Sequence, residues 1–272
     1  MTSLDLSKNT VLTYLECAGN QLTSLDVSKN VALTYLDCSD NRLTALDLSS
    51  NIALETLHFA SNQLSEIDLS HNTELKKLAF YGNQLKTLDV THNTMLGWIS
   101  CSGNQLVSID VSGNPDLTYL DCYGNQLTTL DVSKNVELTT LYCFINQLTT
   151  LDLSNNTALT SLNCTNNQLT TLDLSNCPVI YELSYDEGVN VIGARVMPSI
   201  TTWTLPRAHI GQPYSFQLEL AGTEPITTTC SGDMPSGLTL SETGLISGTA
   251  SETGYFTIYV IASNDYGGNE GW

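Results

Sequence analysis

Cysteine, aspartate, histidine and aromatic side chains are the groups here that could do chemistry, and most of them recur at one spacing. Six of the eight cysteines, Cys17, Cys38, Cys101, Cys122, Cys143 and Cys164, fall in one column with a 21-residue step, and Phe59 and Phe80 fill its other two places. A metal ligand or an obligatory disulfide does not tolerate phenylalanine, whereas a small buried hydrophobe does, so the column reads as core thiols. Cys177 and Cys230 stand outside it, and no bridge between them is expected. A second column holds carboxylates: Asp5, Asp26, Asp47, Asp68, Asp89, Asp110, Asp131, Asp152 and Asp173. Like charges in a row need an offset, either by capping turn N–H and hydroxyl groups or by a file of Ca²⁺ ions. Calcium wants six to eight oxygens and Asp-Gly-rich turns, which are missing, so capping is the expectation. His71 and His92 are register neighbours, but their column also carries Lys8, Lys29, Ser50, Gly113 and Lys134, as a solvated turn does, and no metal site is assigned. The sequence has no GxSxG, HExxH, P-loop or GxGxxG signature, and its acidic pairs follow from the repeat. The reading is therefore not an enzyme, and no cofactor is called for.

Composition narrows the partners. The 272 residues leave room for a repeat array with an appendage, and 41% hydrophobic content supports a core. Twenty-eight acidic residues against nine basic ones give a net charge of −19, which repels nucleic acid and anionic lipid. No apolar stretch approaches the roughly 20 residues that a membrane-spanning helix needs. Met1 leads straight into Thr2-Ser3-Leu4-Asp5, already inside a repeat. Repeat arrays are normally capped, so Met1 is read as an expression start, with a leader and an N-terminal cap expected upstream.

The elements that must position these columns follow from the period. Starting at Leu12, copies of LxxLxCxxNQLxxLD(L/V)SxNxx begin at Leu33, Leu54, Leu75, Leu96, Leu117, Leu138 and Leu159. The alternation in LTYLDC and LTALDL is strand periodicity, and no segment has helical spacing over three turns. The nested pattern resembles the bacterial IRREKO subclass of leucine-rich repeats, a relative of internalin-type repeats. That resemblance implies a solenoid over residues 1–185 with a buried Asn20–Asn167 ladder. The expected fold class is mainly β, with two short strands per coil stacked into two parallel sheets. A second asparagine column runs Asn9, Asn30, Asn51, Asn72, Asn93, Asn114, Asn135, Asn156.

Binding is expected where the repeats differ. The strand before each cysteine points alternate side chains outward, in columns that include Tyr14, Tyr35, Trp98 and Tyr119, then His58, Asp121 and Tyr142, then Tyr81, Tyr123 and Phe144. Trp98, Tyr119, Tyr142, Tyr81, Tyr123 and Phe144, with Asp121 among them as an accessible acceptor, form the candidate ligand-binding face. Exposed Trp and Tyr anchor protein interfaces and stack on sugars, although strand preference alone also favours aromatics.

After Cys177-Pro178 the repeat fades. Residues 186–199 read as cap and linker, and residues 200–272 as a second domain rich in Thr, Gly, Pro and Tyr. Pro235-Ser-Gly-Leu-Thr-Leu240, Thr243-Gly-Leu-Ile-Ser-Gly-Thr249 and Phe256-Thr-Ile-Tyr-Val-Ile-Ala-Ser-Asn264 resemble the bacterial He-PIG family of Ig-like domains. The resemblance implies a β-sandwich and a secreted or surface-attached protein. A further strand is usual after Asn264, and the run to Trp272 reads as too short for it, leaving an incomplete sandwich with an exposed edge. The functional expectation is a non-enzymatic extracellular adhesion module for a protein or glycan. The alternatives are a structural stalk or an accessory module of an exported polysaccharide-active enzyme.

Overall fold

The computed structural model describes residues 1–202 and 204–271, with side chains through residue 268. The chain packs as two units, residues 1–178 with 182–193, and residues 179–181 with 194–272. No helix among the described residues is long and apolar enough to cross a membrane.

In the first unit each repeat contributes one three-residue strand. These are Tyr14–Glu16 (β1), Tyr35–Asp37 (β2), Thr56–His58 (β3), Lys77–Ala79 (β4), Trp98–Ser100 (β5), Tyr119–Asp121 (β6), Thr140–Tyr142 (β7) and Ser161–Asn163 (β8). Thr171–Asp173 (β9), Glu182–Ser184 (β10) and Asn190–Ile192 (β11) follow. Strands β1 to β8 and then β10 form one nine-stranded parallel sheet, and β9 pairs with β11. The register advances by one repeat per strand, for example Trp98↔Tyr119 and Ser100↔Asp121. The central residue of each repeat strand, such as Leu36, Leu57 or Ile99, points into the core and is fully buried. The residues on either side point out.

The second parallel sheet expected from the sequence is reduced, among the described residues, to the two-stranded β9–β11 pair. In the LxxLDLS half of the coil, Asp26 Oδ1 accepts the Ser28 N–H at 2.9 Å, and the Asn30 N–H bonds Val27 O within its own turn at 2.9 Å. Local acceptors thus take donors that a second ladder would use, and only the isolated Asp89↔Asp110 bridge and β9–β11 pair there.

Two asparagine columns tie the coils together. In the first, Asn104 Nδ2 donates to Phe80 O, Cys101 O and Ser102 O, while its Oδ1 accepts the Leu85 N–H at 3.1 Å. In the second, Asn93 Nδ2 donates to Leu69 O and Asn72 O of the preceding coil. There the side-chain oxygens of Asn30 through Asn156 are buried with no partner. The chain then turns through a left-handed residue two places after the cysteine column. Gly19, Gly82, Gly103 and Gly124 hold that position in four coils, and Asp40, Ser61, Ile145 and Asn166 in the rest, with φ between 51° and 68°.

The second unit is antiparallel. Its strands are Ser199–Ile200 (β12), Pro213–Gln217 (β13), Leu220–Ala221 (β14), Thr227–Gly232 (β15), Leu238–Leu240 (β16), Leu245–Thr249 (β17), Ile258–Asn264 (β18) and Gly267–Gly271 (β19). They form sheets β13-β17-β16 and β15-β18-β19 and the pair β12-β14 around Leu218, Ile246 and Val260. The strand thought missing after Asn264 is present: β19 pairs with β18 over five residues, so the second sheet has its third strand. Trp272 itself lies outside the described residues. The sequence hid β19 because Gly267-Gly-Asn-Glu-Gly271 has none of the residues that favour strands. Gly237 and Gly248 of the family motif are left-handed, and a Cβ on either would run into the facing backbone.

Candidate functional site

The outward side chains of the nine-stranded sheet build an aromatic row. Tyr14 and Tyr35 stack at 4.3 Å between centroids, Tyr35 meets His58 edge-on at 5.8 Å, and His58 lies 6.4 Å from Trp98. Trp98 stacks on Tyr119 at 5.0 Å, and Tyr119 meets Tyr142 edge-on at 6.0 Å. His58 and Trp98 belong to coils that are not adjacent. They meet because the intervening β4 contributes Ala79, which is small and buried. Tyr123 and Phe144, one place beyond the strands, form a separate stack at 4.3 Å and 7°.

Of the six predicted aromatics, the structure therefore joins Trp98, Tyr119 and Tyr142 in one group and Tyr123 with Phe144 in another. Tyr81 stands apart, 43% exposed. Tyr14, Tyr35 and His58 were missed as members of the row, although they occupy the same outward columns. The near-parallel pairs lie face to face, since coplanar rings could not approach so closely. In those pairs one face of each ring lies against its partner, and the Tyr14 hydroxyl donates to Glu16 Oε2 at 2.8 Å.

Asp121 does not sit where the sequence reading put it. It is only 8% exposed, a buried carboxylate rather than an accessible acceptor. The alternation of the strand sends it outward, but its row mates Ser100 and Tyr142 close over it on the sheet. The Ser100 hydroxyl donates to Oδ2 at 3.2 Å and the Tyr123 N–H to Oδ1 at 3.4 Å. Burial pushes its carboxyl above the usual range, against the pull of those donors and of the Ser102 hydroxyl. Its column mate Asp37 has a stronger set: the Ser39 N–H at 2.9 Å and His58 Nδ1 at 3.7 Å. At the end of the row the Tyr142 and Ser161 hydroxyls both donate to Glu182 Oε2, at 3.1 and 2.7 Å, and hold that carboxyl low.

The other chemically capable columns are spent on the fold. The six column thiols are buried and unbridged, and burial pushes Cys17 up to about 11 and Cys164 to about 12, with the others higher still. Each aspartate of the nine-member column accepts the N–H two residues on, from Ser7, Ser28, Ser49, Ser70, Thr91, Ser112, Ser133, Ser154 and Ser175, at 2.9–3.0 Å. These are the caps expected from the sequence, and they hold the carboxyls below their ordinary range.

Among solved structures, the solenoid is similar to a leucine-rich repeat protein of Leptospira interrogans, at 22% identity and TM-score 0.61 over 70% of this chain and 57% of that one. It is similar to internalin C2 of Listeria monocytogenes, at 20% identity and TM-score 0.57 over 68% of this chain and 80% of that one. It is also similar to YopM, a leucine-rich effector protein of Yersinia pestis, at 25% identity and TM-score 0.54 over 67% and 54%. The first unit has the leucine-rich-repeat fold. Residues 197–271 match the family described as Putative Ig domain, He_PIG. No curated protein sequence matches the chain significantly. A leucine-rich-repeat array beside an Ig-like domain suggests an interaction or surface module, and the functional question falls on the aromatic sheet face.

Proposed function

We propose that this is a non-enzymatic, extracellular binding module whose leucine-rich-repeat sheet recognises a protein partner through the row from Tyr14 to Tyr142. The observation that carries the reading is the face-to-face stacking of Tyr14 on Tyr35, Trp98 on Tyr119 and Tyr123 on Phe144. A sugar ring stacks on an open aromatic face, and in these pairs one face of each ring is taken by its partner. Aromatic edges, tyrosine hydroxyls and flanking carboxylates suit side chains of a protein instead, and clustered Trp and Tyr supply anchor energy there. The acidic surface repels nucleic acid and anionic membranes, which leaves protein as the matching class.

The test is Trp98→Ala with Tyr119→Ala, screened in parallel on arrays of extracellular proteins and of glycans. Wild type should bind protein probes, and the double variant should lose at least about thirtyfold in affinity. Its melting temperature should change little, because both rings lie outside the leucine core. Binding confined to glycans, or undiminished protein binding by the double variant, would refute the reading.

A further inference from the structure

The two larger sheets of the second unit leave part of their core open. The segments around Pro206, Pro235 and Gly254 frame a cleft of about 560 Å³, a size that suits a small molecule. Leu238, Ile246 and Ala250, all buried, form its floor, and Ile258 reaches in from the other sheet. Ile246 also belongs to the central cluster with Leu218 and Val260, so the cleft runs down to the core itself. At the mouth Tyr255 is fully exposed and Ile210 more than half exposed. Covering that aliphatic surface with an apolar ligand is favourable in proportion to the area removed from water.

A second observation concerns the two charges at the cleft. Glu252 Oε1 accepts the Ser236 N–H at 2.7 Å, which holds that carboxyl below its ordinary range and keeps it negative. Arg207, exposed on the rim, makes no hydrogen bond or ion pair among the described residues. Residues 194–272 carry seven acidic side chains and two basic ones, Arg195 and Arg207, so carboxylates were plentiful for pairing. An aliphatic floor with a spare guanidinium beside it complements a molecule that is apolar along its body and anionic at one end. Glu252 disfavours a second negative charge on the same ligand.

We propose that this cleft binds a fatty acid, with the alkyl chain over Leu238, Ile246 and Ala250 and the carboxylate on the Arg207 guanidinium. A peptide fits less well, because its amides would be buried against a floor with no polar side chain to receive them. The site is independent of the aromatic row on the leucine-rich-repeat sheet and gives the second unit a ligand of its own.

The experiment titrates decanoate, decanol, acetate and the free acid of tetraleucine into the full chain by calorimetry, below the micellar range. Decanoate should bind saturably at one site, decanol at least about tenfold more weakly, and acetate not at all. Arg207→Gln, a change at an exposed position that folding tolerates, should bring decanoate down to the level of decanol and leave decanol unmoved. Glu252→Gln keeps an acceptor for the Ser236 N–H and should tighten decanoate severalfold. Trp98→Ala with Tyr119→Ala should bind decanoate as wild type does. Equal binding of decanol and decanoate, undiminished decanoate binding by Arg207→Gln, or tighter binding of tetraleucine than of decanoate would overturn the proposal. If the Trp98, Tyr119 double variant loses decanoate, the fatty acid sits on the leucine-rich-repeat face and this assignment falls.

Discussion

Replacing Asn104 with alanine removes hydrogen-bond contacts to four groups, three carbonyls sharing its two amide hydrogens and one N–H, but their loss is not evenly felt. Phe80 O keeps Asn83 Nδ2, Cys101 O keeps Asn125 Nδ2, and Ser102 O keeps the Gly82 N–H. Only the Leu85 N–H, which bonds Asn104 Oδ1, is left buried and alone. Two amide hydrogens, shared among the three carbonyls, at about 1 kcal/mol each and one orphaned donor at about 1–3 kcal/mol give about 3–5 kcal/mol. Asn93→Ala is the matched control from the other ladder. Leu69 O retains the Asn72 N–H and Asn72 O the Leu75 N–H, so no group is orphaned, and the Oδ1 that disappears had no partner. Its cost should be about 1–2 kcal/mol. The two variants should therefore differ by about 2 kcal/mol, or roughly 4–8 °C in melting midpoint for an array of this size. Side-by-side thermal and urea unfolding would read the difference, using midpoints because repeat arrays need not unfold in one step. Equal midpoints, or a larger loss for Asn93→Ala, would refute the reasoning and mean that the second-ladder oxygens carry weight equal to the first.

Further outcomes follow from the columns. Native thiol titration should label few of the six column cysteines and all eight cysteines after denaturation, and ready labelling of four or more would overturn their burial. Because folding raises those thiol values above 9, their contribution is complete below about pH 9 and is lost as pH rises beyond it, so alkaline unfolding should come earlier than in a Cys101→Ala, Cys122→Ala variant. The capping carboxyls are lowered below 3.8, so their contribution is complete above about pH 4 and is lost on further acidification. Asp89→Ala should lower the melting temperature and blunt that acid response, and millimolar calcium should leave wild type unmoved. A calcium-dependent rise in melting temperature, reversed by chelator, would remove the capping account.

The period of 21 residues made most of the fold legible. Phenylalanine at positions 59 and 80 identified the cysteine column as core, and there the two rings stack at 5.7 Å. The capping role of the aspartates and the first asparagine ladder were likewise readable from residue type and position. What could not be read was competition between partners. The LDLS segment has strand alternation, yet its aspartates satisfy local N–H groups first, so along most of the array only one sheet forms and the second is confined to β9–β11. Alternation also says which way Asp121 points, not that its neighbours close over it. Ring contacts such as His58–Trp98 depend on the size of Ala79 one coil away, which no single strand reveals. Ile145 did leave a mark: its column otherwise holds only glycine and short polar residues, but only the dihedral turns that oddity into strain.

The second asparagine ladder has a direction. Asn30, Asn51 and their successors donate only to carbonyls of the coil before them, at 2.8–3.2 Å, never to the coil after. A coil added at the carboxyl end thus finds its acceptors already in place, and the coil beneath needs nothing from it along this edge. For a polypeptide leaving the ribosome amino end first, each new turn is templated by the one just completed. The first ladder runs the other way, since the Leu85 N–H of one coil is satisfied only by Asn104 of the next, so each turn is docked by the second ladder and completed when the following coil arrives.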